Sequence, residues 1–207
     1  MKIVIQMMCV AVVIVGLGSV AMARVTIETV PVGNPGNAAD STGYGGVTYE
    51  YNIGKYEVTA GQYTEFLNAV AKTDTYGLYY SKMVSSSTGC QIVRTGSSGS
   101  YSYSVTNYHA NRPVNFVSWG DSARFANWLH NGQPTGDQDH STTEDGSYYL
   151  DGATGNSALL LINRKADATW SIPSEDEWYK AAYHKNDGIT GNYYDYPTSS
   201  DTLPSND

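Results

Sequence analysis

The segment 112–129 reads RPVNFVSWGDSARFANWL and predicts a capped helix after a short extended approach. Ser118 stands three residues before Asp121. The serine hydroxyl can therefore accept a hydrogen bond from the Asp121 amide, and the carboxylate can reach back to the serine amide. Apolar Phe125 and Leu129 then recur at the helical period, which gives this helix one face for the core.

Two more segments begin with the same signature, one on each side of this helix. Thr59 stands three residues before Gln62 in TAGQYTEFLNAV, and Ser174 stands three residues before Glu177 in SEDEWYKAAYHK. Each combines a hydroxyl cap with a third helical residue whose side chain can return a hydrogen bond. The sequence thus predicts three amphipathic helices spread along the chain.

The remaining segments are either strand-like or irregular. Alternating residues predict strands over 25–32 and 47–56, and a short strand over 147–150. The Ser/Gly-rich residues 85–104 and the Gly/Asp-rich residues 131–157 are expected to be long irregular stretches. Few helices, short antiparallel strands and long loops together indicate an α+β fold.

Composition limits the classes of function. The chain has 207 residues, with 20 acidic and 12 basic side chains and a formal net charge of −8. A general nucleic-acid binder needs a basic face, so this charge argues against nucleic acid as a partner. Hydrophobic residues make up 41% of the chain and charged residues 15%, which suits a packed core and argues against global disorder.

Residues 1–23 are predicted to be a secretory signal peptide. Lys2 gives the short positive start, an apolar run over 3–20 follows, and Ala21–Ala23 has the small-x-small cleavage pattern. The apolar run is almost long enough for a membrane anchor, which is the alternative. We expect cleavage, a mature chain that starts near Arg24, export to the periplasm or the cell exterior, and no stable membrane span afterwards.

Cysteine is scarce in this sequence. The chain has two cysteines, and because Cys9 lies in the predicted signal peptide, the mature chain keeps Cys90 alone. A single thiol can form neither an intramolecular disulfide nor a four-cysteine metal site. We expect Cys90 to be a free surface thiol or one half of an intermolecular disulfide.

Common catalytic patterns find little support. Residues 120–124, GDSAR, lack the final glycine of a nucleophile elbow, and the four histidines form no metalloprotease motif or close pair. Glu175 and Glu177 stand two residues apart on a predicted helix, so they point to different faces. Helix capping and compensation of the helix dipole explain both carboxylates without a catalytic role.

Three sequence blocks follow one another in a specific order. They are KYEVT at 55–59, RPVNFVSW at 112–119 and IPSEDEW at 172–178, and a Tyr-rich element at 193–197 comes after them. In this order the blocks resemble the formylglycine-generating enzyme, or sulfatase-modifying factor, family. The motif residues that carry the resemblance are Glu57, Thr59, Arg112, Pro113, Trp119, Pro173, Ser174, Glu177 and Trp178.

The resemblance implies one sulfatase-modifying-factor-like domain over residues 24–207, with a distorted C-type-lectin-like fold. The sequence departs from the family pattern at Ser171, where the family usually has arginine, and at Thr198, where tryptophan usually follows Tyr-Pro. Family domains also continue through a further part, which the present sequence does not match. We therefore expect a C-terminally truncated domain.

The family's active site implies a chemistry that this sequence does not match. The authentic enzymes hold copper with paired cysteines in that later part, and they oxidise a substrate cysteine to formylglycine. Copper(I) in such a site needs two soft thiolates from one chain. We therefore expect no catalytic residues and no copper in this polypeptide.

Calcium is the other metal that the resemblance implies. Asn192 and Asp195, beside the Tyr-rich element, are the candidate ligands, because calcium prefers oxygen donors. Further acidic side chains lie in the long loop, at Asp137, Asp139, Glu144, Asp145 and Asp151. These spacings do not form a dedicated calcium loop, so a solvated acidic loop is the alternative reading.

Three hypotheses for the function remain. The first is an exported, non-catalytic binding or interaction module, or a fragment of a longer chain, whose partner is a protein or a carbohydrate. The second is part of an oxidoreductase that converts a substrate cysteine to formylglycine and so activates sulfatases, with a longer parent chain or a partner supplying the cysteines. The third is a lectin-like module that binds carbohydrate through Tyr-lined loops.

The tryptophans give two opposed expectations. Trp119, Trp128, Trp170 and Trp178 fall on or beside the predicted elements and are expected to lie mostly in the core. A truncated domain would instead leave apolar surface exposed around Trp119 and Trp178.

Overall fold

The computed structural model of the protein describes residues 24–205. The predicted signal peptide, residues 1–23, lies outside the described residues. The regular elements are, in chain order, β1 (Thr29–Val32), β2 (Tyr51–Gly54), α1 (Ala60–Val70), a 3-10 turn (Ser81–Val84), β3 (Ile92–Thr95), β4 (Ser102–Val105), α2 (Asn107–Ala110), α3 (Trp119–His130), α4 (Asn156–Leu159) and α5 (Glu175–Tyr183). The predicted α+β class, with few helices and short antiparallel strands, is confirmed. Within the described range no helix combines the length and the apolar composition that crossing a bilayer requires.

The three longest helices begin at the predicted caps. Thr59, Ser118 and Ser174 each accept a hydrogen bond from the backbone amide three residues on, at 3.2 Å. The side chains at those third positions return bonds to the cap amides at 2.8, 2.9 and 2.7 Å. Each capping box satisfies amides that a helix start would otherwise leave unpaired, so the local sequence sets these three helix starts.

An aromatic cluster joins α1 to α3. The ring of Phe66 lies edge-on to Phe125 with centroids 5.3 Å apart, and 5.2 Å from the ring of Trp128. The fully buried Tyr63 adds a fourth ring and donates its hydroxyl to the Leu78 carbonyl at 2.9 Å. Because each buried ring contributes about 2 kcal/mol from removal of its surface from water, this cluster is the main core of the domain.

The first hairpin is shorter than the sequence predicts. Strands expected over 25–32 and 47–56 are reduced to β1 and β2, which pair antiparallel with Val30 opposite Ile53. Most side chains of this hairpin are exposed or half-buried. Because little of the hairpin is buried, packing does not extend its strands further.

The second hairpin was not expected. Strand β3 and the start of β4 lie within residues 85–104, which the sequence led us to expect as irregular, so that expectation is wrong. Buried Ile92 and Tyr103 join the core cluster. Asn68 of α1 bonds to the backbone of Tyr103 through both its donor and its acceptor, each at 2.9 Å. The strand sequences themselves, IVRT and SYSV, carry β-branched and aromatic residues that favour strands, and these contacts hold the hairpin against the core.

The predicted strand over 147–150 is also wrong, because that segment is irregular. Tyr148 and Leu150 are nevertheless buried. The side chain of Asn127 on α3 holds the segment in place, since it donates to the Tyr148 carbonyl and accepts from the Tyr148 amide, both at 2.8 Å. The buried side-chain amide of Asn127 thus pairs with the same backbone groups of Tyr148 that a neighbouring strand would bind.

A buried ion pair anchors the same long loop to α3. Arg124 donates to both carboxylate oxygens of Glu144, at 2.7 and 2.8 Å, and each side chain is 2% exposed. The Arg124 guanidinium lies 4.3 Å from the centroid of the Tyr76 ring, and the Gly152 amide donates to Glu144 at 2.8 Å. Fully paired charges of this kind are costly to break singly, so the pair fixes the loop on the helix.

The tryptophans divide into two groups. Trp128 is buried and Trp170 is partly buried against the core cluster. Trp119 and Trp178 are 40% and 52% exposed, so the expectation that they lie in the core is wrong. Their exposure instead agrees with the alternative expectation of apolar surface around these two residues.

Cys90 lies inside the domain. It is 4% exposed and belongs to the same apolar cluster as α1 and β3. The thiol is free, but the expectation that it lies at the surface is wrong, and at this burial the sulfur is not accessible for an intermolecular disulfide. A thiol in apolar surroundings behaves as a small hydrophobic side chain.

Candidate functional site

A cleft of about 740 Å³ separates two segments that are distant in the sequence. One wall is the continuous segment 49–54, which contains β2, together with Thr29 of β1, and the other is formed by most residues of the irregular segment 164–173. Glu177, in the first turn of α5, also lines the cleft. A concavity of this volume is in the range that binding sites for ligands occupy.

The carboxylate of Glu177 is the centre of a hydrogen-bond network in this cleft. The Tyr49 hydroxyl donates to its Oε1 at 2.7 Å, and Arg164 Nη1 donates to its Oε2 at 2.9 Å. Arg164 also donates to Ser171 Oγ at 3.0 Å and to the Tyr49 hydroxyl at 3.3 Å. The Tyr51 hydroxyl donates to the Glu177 carbonyl. The network therefore ties both walls to α5.

The network fixes the charge state of its members. Burial raises the pKa of Glu177, but hydrogen bonds from Arg164, Tyr49 and the Ser174 amide outweigh burial and bring this pKa below its ordinary value of 4.5. The hydrogen bond to Glu177 in turn raises the pKa values of Tyr49 and Arg164. At neutral pH the carboxylate is ionised and paired. A general acid or base works best with a pKa near the working pH, so Glu177 is not poised for proton transfer.

The cleft also presents partly exposed aromatic rings and polar groups to solvent. Tyr49 is 45% exposed and Trp170 is partly buried, so both rings present part of their surface to the cleft. Glu50 and Asn52 are exposed along the strand wall, and so is Gly54, which has only backbone atoms to present. The arrangement offers stacking surface together with fixed polar groups, which suits binding.

The first two sequence blocks meet away from this cleft. The Ala60 amide at the start of α1 donates to the Arg112 carbonyl at 2.8 Å, and Thr59 forms an isolated bridge with Pro113. Glu57 is exposed, and the ring of Trp119 lies edge-on to Tyr148 with centroids 5.5 Å apart. Residues of the first two blocks therefore join the start of α1 to the backbone of the segment that precedes α3.

The third block does reach the cleft. Pro173 and Glu177 line it, and Ser174 caps α5 beneath it. Trp178 is exposed, with its ring 6.1 Å from that of Tyr183. Of the motif residues named from the sequence, Glu177 is thus the one at the centre of a polar site.

Sequence reasoning missed two members of this site, Arg164 and Tyr49. Both reach Glu177 from distant segments, and no motif marks either position. The one available signal was Ser171, which stands where the related pattern has arginine. In the structure the Ser171 hydroxyl accepts a hydrogen bond from Arg164, so an arginine from another position in the sequence contacts this residue.

The candidate calcium ligands Asn192 and Asp195 have partners of a different kind. The Asn192 side chain donates to Asp187 Oδ2 at 2.8 Å, and the Asp195 amide donates to Asp201 at 3.1 Å. Among residues 24–205, no group of three or more His, Cys, Asp or Glu side chains is arranged to hold a metal ion. The calcium assignment at these two residues therefore stays a prediction from the sequence.

The other acidic side chains of the long loop have separate partners. Asp139 accepts from Ser141, Asp145 pairs with Lys165, and Asp151 pairs with His140 at 2.9 Å. Glu144 is committed to the buried pair with Arg124. These carboxylates lie in separate contacts, so the structure does not bring them together around one point.

The copper site implied by the resemblance does not fit the described residues. Copper(I) in such a site needs two thiolates, and Cys90 is the single cysteine between residues 24 and 205. That thiol is buried in an apolar cluster and lies on neither wall of the cleft. We therefore assign no copper-dependent step to this chain.

Comparison with protein-family models identifies a family for this chain. The family model described as "Sulfatase-modifying factor enzyme 1-like domain" matches residues 6–206, which is nearly the whole chain. No curated protein and no solved structure gave a match. The matched range includes all three sequence blocks and both walls of the cleft.

Proposed function

Because this chain belongs to the sulfatase-modifying factor enzyme 1-like family, we propose that it is an exported, non-catalytic member that binds another molecule in the cleft around Glu177. One observation carries the proposal. The buried carboxylate of Glu177 is paired with the Arg164 guanidinium and accepts a hydrogen bond from Tyr49, which leaves a cleft of fixed donors, acceptors and half-exposed aromatic rings. Such a surface recognises a ligand without providing a reactive group.

The environment of Cys90 supports the non-catalytic part of the proposal. A reactive thiol needs exposure and a neighbouring cation or helix N-terminus to favour the thiolate. Cys90 is 4% exposed among apolar side chains. A buried thiol in this setting supports packing and not oxidation chemistry.

A binding screen tests the proposal. The chain, expressed from its full coding sequence, is applied to a glycan array and to an array of synthetic peptides. We expect ligands on one array whose binding Arg164→Gln weakens by about tenfold or more, because the variant loses charge-assisted hydrogen bonds in the cleft. Arg112→Gln is the matched control, since Arg112 is exposed and does not line the cleft. It should bind as the unaltered protein does.

Two results would overturn the proposal. One is the absence of any ligand on either array that distinguishes Arg164→Gln from Arg112→Gln. The other is conversion of a Cys-x-Pro-x-Arg peptide to its formylglycine form by the purified chain, measured by mass spectrometry. The second result would instead support the oxidoreductase hypothesis.

Export is proposed from the sequence of residues 1–23. We expect the protein outside the cytoplasm to begin near Arg24, because cleavage should follow the Ala21–Ala23 pattern. Amino-terminal sequencing of protein from the periplasm and the culture medium measures this. Recovery of the uncleaved chain in the membrane fraction would favour the anchor alternative.

Carbohydrate is a second candidate ligand class. The half-exposed Tyr49 and the partly buried Trp170 favour it, because sugar rings stack on aromatic faces. If a glycan binds here, Trp170→Ala should remove the glycan-array signal, and Trp178→Ala, a tryptophan outside the cleft, should retain it. Equal signals from the two variants would place the glycan elsewhere.

A further inference from the structure

We propose that His130 and Thr169 form a pH-sensitive latch on the wall 164–173 of the cleft. The neutral imidazole holds the backbone of the wall at Thr169, protonation in mild acid releases it, and ligand binding in the cleft then weakens. The proposal rests on the binding function above and names a way in which that site is regulated. It follows from the two contacts that one ring nitrogen makes with a residue of the wall.

The ring of His130 reaches the wall from the end of α3. His130 is the last residue of that helix, and Thr169 lines the cleft. The Thr169 amide donates to His130 Nδ1 at 3.2 Å, and the Thr169 hydroxyl lies 2.9 Å from the same nitrogen. Because a backbone N–H can only donate, Nδ1 must carry a lone pair. The contact therefore requires a neutral imidazole with its proton on Nε2.

Protonation of the ring is incompatible with the backbone contact. A protonated imidazole has a donor on both nitrogens, so its Nδ1–H and the Thr169 N–H would face each other. The Thr169 hydroxyl can accept as well as donate, and its contact with the ring could persist. Histidine is the side chain that ordinarily changes charge between about pH 5 and 8. Mild acid should therefore break the backbone hydrogen bond selectively.

Two other anchors of the wall keep their hydrogen bonds over this range. The Lys165 amide donates to the Ser147 carbonyl at 2.9 Å. The Ile172 amide donates to the Tyr148 hydroxyl at 3.0 Å. Peptide groups and a phenol do not change charge between about pH 5 and 8. Loss of the latch should thus loosen the middle of the wall, around Thr169, without unfolding the segment.

The charged groups around His130 come from three segments. Asp145 of the long loop pairs with Lys165 in the wall, and Asp167 is exposed between Lys165 and the latch. Arg24 lies beside the turn that follows α3. The hydrogen bond from Lys165 holds the pKa of Asp145 below its usual value, so this carboxylate stays ionised where histidines titrate. A change of charge at the latch is therefore assigned to the imidazole.

Two other histidines provide internal comparisons. The Asn186 amide donates to His184 Nδ1 at 3.0 Å, so this pair should respond to acid in the same way, and neither residue lines the cleft. His140 Nε2 lies 2.9 Å from Asp151, a contact that protonation of the ring preserves. The latch at His130 is thus distinguished by an acceptor bond to a residue of the wall.

Hydrogen exchange in the unaltered protein tests the latch without a ligand. Nuclear magnetic resonance gives the protection factor of the Thr169 amide, which is its exchange rate relative to an unfolded peptide at the same pH. We expect this factor to fall by about fivefold between about pH 8 and 5, because one hydrogen bond is lost. The Asn186 amide should fall similarly, and the Lys165 amide should stay protected. An unchanged factor at Thr169 would overturn the proposal.

The tautomer of His130 gives a second measurement on the same sample. At the higher pH we expect the ring proton on Nε2, because Nδ1 accepts from Thr169. As the pH falls, the signal of the Thr169 amide should move with the same midpoint as the His130 ring. A proton on Nδ1 at the higher pH, or two different midpoints, would contradict the latch.

His130→Asn removes the titration and retains an acceptor. The Oδ1 atom of asparagine takes about the place of the imidazole Nδ1 and can accept from the Thr169 amide at any pH. This variant should keep Thr169 protected at the lower pH, while Asn186 keeps its acid response. His140→Asn is the matched control and should behave as the unaltered protein does. Loss of Thr169 protection in His130→Asn at the lower pH would count against the proposal.

The glycan and peptide arrays connect the latch to binding. They are repeated at about pH 8 and 5 with the unaltered protein and with His130→Asn. Signals that depend on Arg164 should fall about threefold or more in acid for the unaltered protein and stay level for the variant. The Glu177 pKa is below 4.5, so its pairing with Arg164 persists at the lower pH and does not cause the fall. Equal binding by the unaltered protein at both pH values would overturn the regulatory role.

The outcomes separate this inference from the binding function. If Thr169 is released in acid and no array ligand depends on Arg164, the binding function is wrong and the latch on the wall stands. If such ligands bind and Thr169 keeps its protection in acid, the latch is wrong and the binding function stands.

Discussion

The two hairpins have strands of the same length but opposite surroundings. In β3–β4, Ile92 and Tyr103 are buried, and Asn68 of the neighbouring helix covers the backbone edge. In β1–β2, most side chains are exposed or half-buried, and the outer edge of β2 lines a cleft. One hairpin is part of the core, and the other is fixed mainly by its own backbone pairing and by polar contacts to Glu177.

This contrast assigns different roles to similar elements. A covered strand edge contributes to stability, and its backbone N–H and C=O groups are not available to a binding partner. Within residues 24–205 the outer edge of β2 has no such cover. The stability of the domain should therefore depend more on β3–β4 than on β1–β2.

The largest loss of stability should come from Tyr103→Ala in β4. Tyr103 is 5% exposed, donates its hydroxyl to the Ala71 carbonyl at 2.8 Å, and lies 5.6 Å from the ring of Tyr79. Removing a buried aromatic side chain costs about 3–5 kcal/mol of unfolding free energy. Urea unfolding followed by tryptophan fluorescence measures the change.

The matched variant in the first hairpin is Val30→Ala. Val30 is 37% exposed, so its truncation should cost less than about 1 kcal/mol. Similar losses in the two variants would contradict the division into a core hairpin and an exposed hairpin.

A smaller but clear effect is expected for Asn68→Ala. The substitution removes both hydrogen bonds to the Tyr103 backbone and leaves an N–H and a C=O unpaired, at a cost of about 2 kcal/mol. Asn52→Ala in β2 is the same change at an exposed position and should cost less than about 0.5 kcal/mol. Thermal unfolding of both variants compares the two edges directly.

Loss of the Asn68 hydrogen bonds should also promote aggregation. If Asn68→Ala uncovers the edge of β4, that variant should aggregate at lower concentration than the unaltered protein, because exposed edges template further pairing. Light scattering would detect this. If Asn52→Ala destabilised the protein as much as Asn68→Ala, the edge of β2 could not be described as free.

The third prediction concerns the polar anchor of the first hairpin. Glu177→Gln should lower the unfolding free energy at pH 7 by about 1 kcal/mol, because it weakens charge-assisted bonds from Arg164 and Tyr49. The estimate is reduced because the Arg164 side chain is 34% exposed and solvent screens the pair.

The pH dependence of this difference follows from the direction of the pKa shift. The Glu177 pKa in the folded protein is below 4.5, so the stabilisation is present above that pH and is lost as the pH falls through the folded pKa. The unaltered protein and Glu177→Gln should therefore converge in stability below pH 4.5. A constant difference across that range would show that the carboxylate charge is not the cause.

Local signals made part of this structure predictable. The three capped helices follow from a hydroxyl and an N3 side chain within one turn, so Thr59, Ser118 and Ser174 could be identified from spacing alone. The second hairpin was missed because Ser and Gly dominate residues 85–104 as a whole, although the short strands IVRT and SYSV within and beside it carry β-branched and aromatic residues. Contacts with Asn68 and the core then fix these strands.

The site was predictable only in part for the same reason. Glu177 lies in a recognisable block, but its partners Tyr49 and Arg164 lie 128 and 13 residues away in the sequence and carry no motif. The exposure of Trp119 and Trp178 likewise depends on which elements pack over them. Long-range pairing of this kind is set by the whole fold and not by local sequence.

The smallest effect is expected for Lys55→Gln, at the end of the first hairpin. Lys55 Nζ lies 2.7 Å from Glu28, but the two side chains are 42% and 60% exposed, so water and salt screen the pair. The backbone bond between the same two residues remains in the variant. We therefore expect no measurable shift of the thermal midpoint at either low or high salt. A clear drop at low salt would mean that surface charge, and not backbone pairing with the Glu177 contacts, holds β2 in position. The open edge would then be expected to respond to ionic strength.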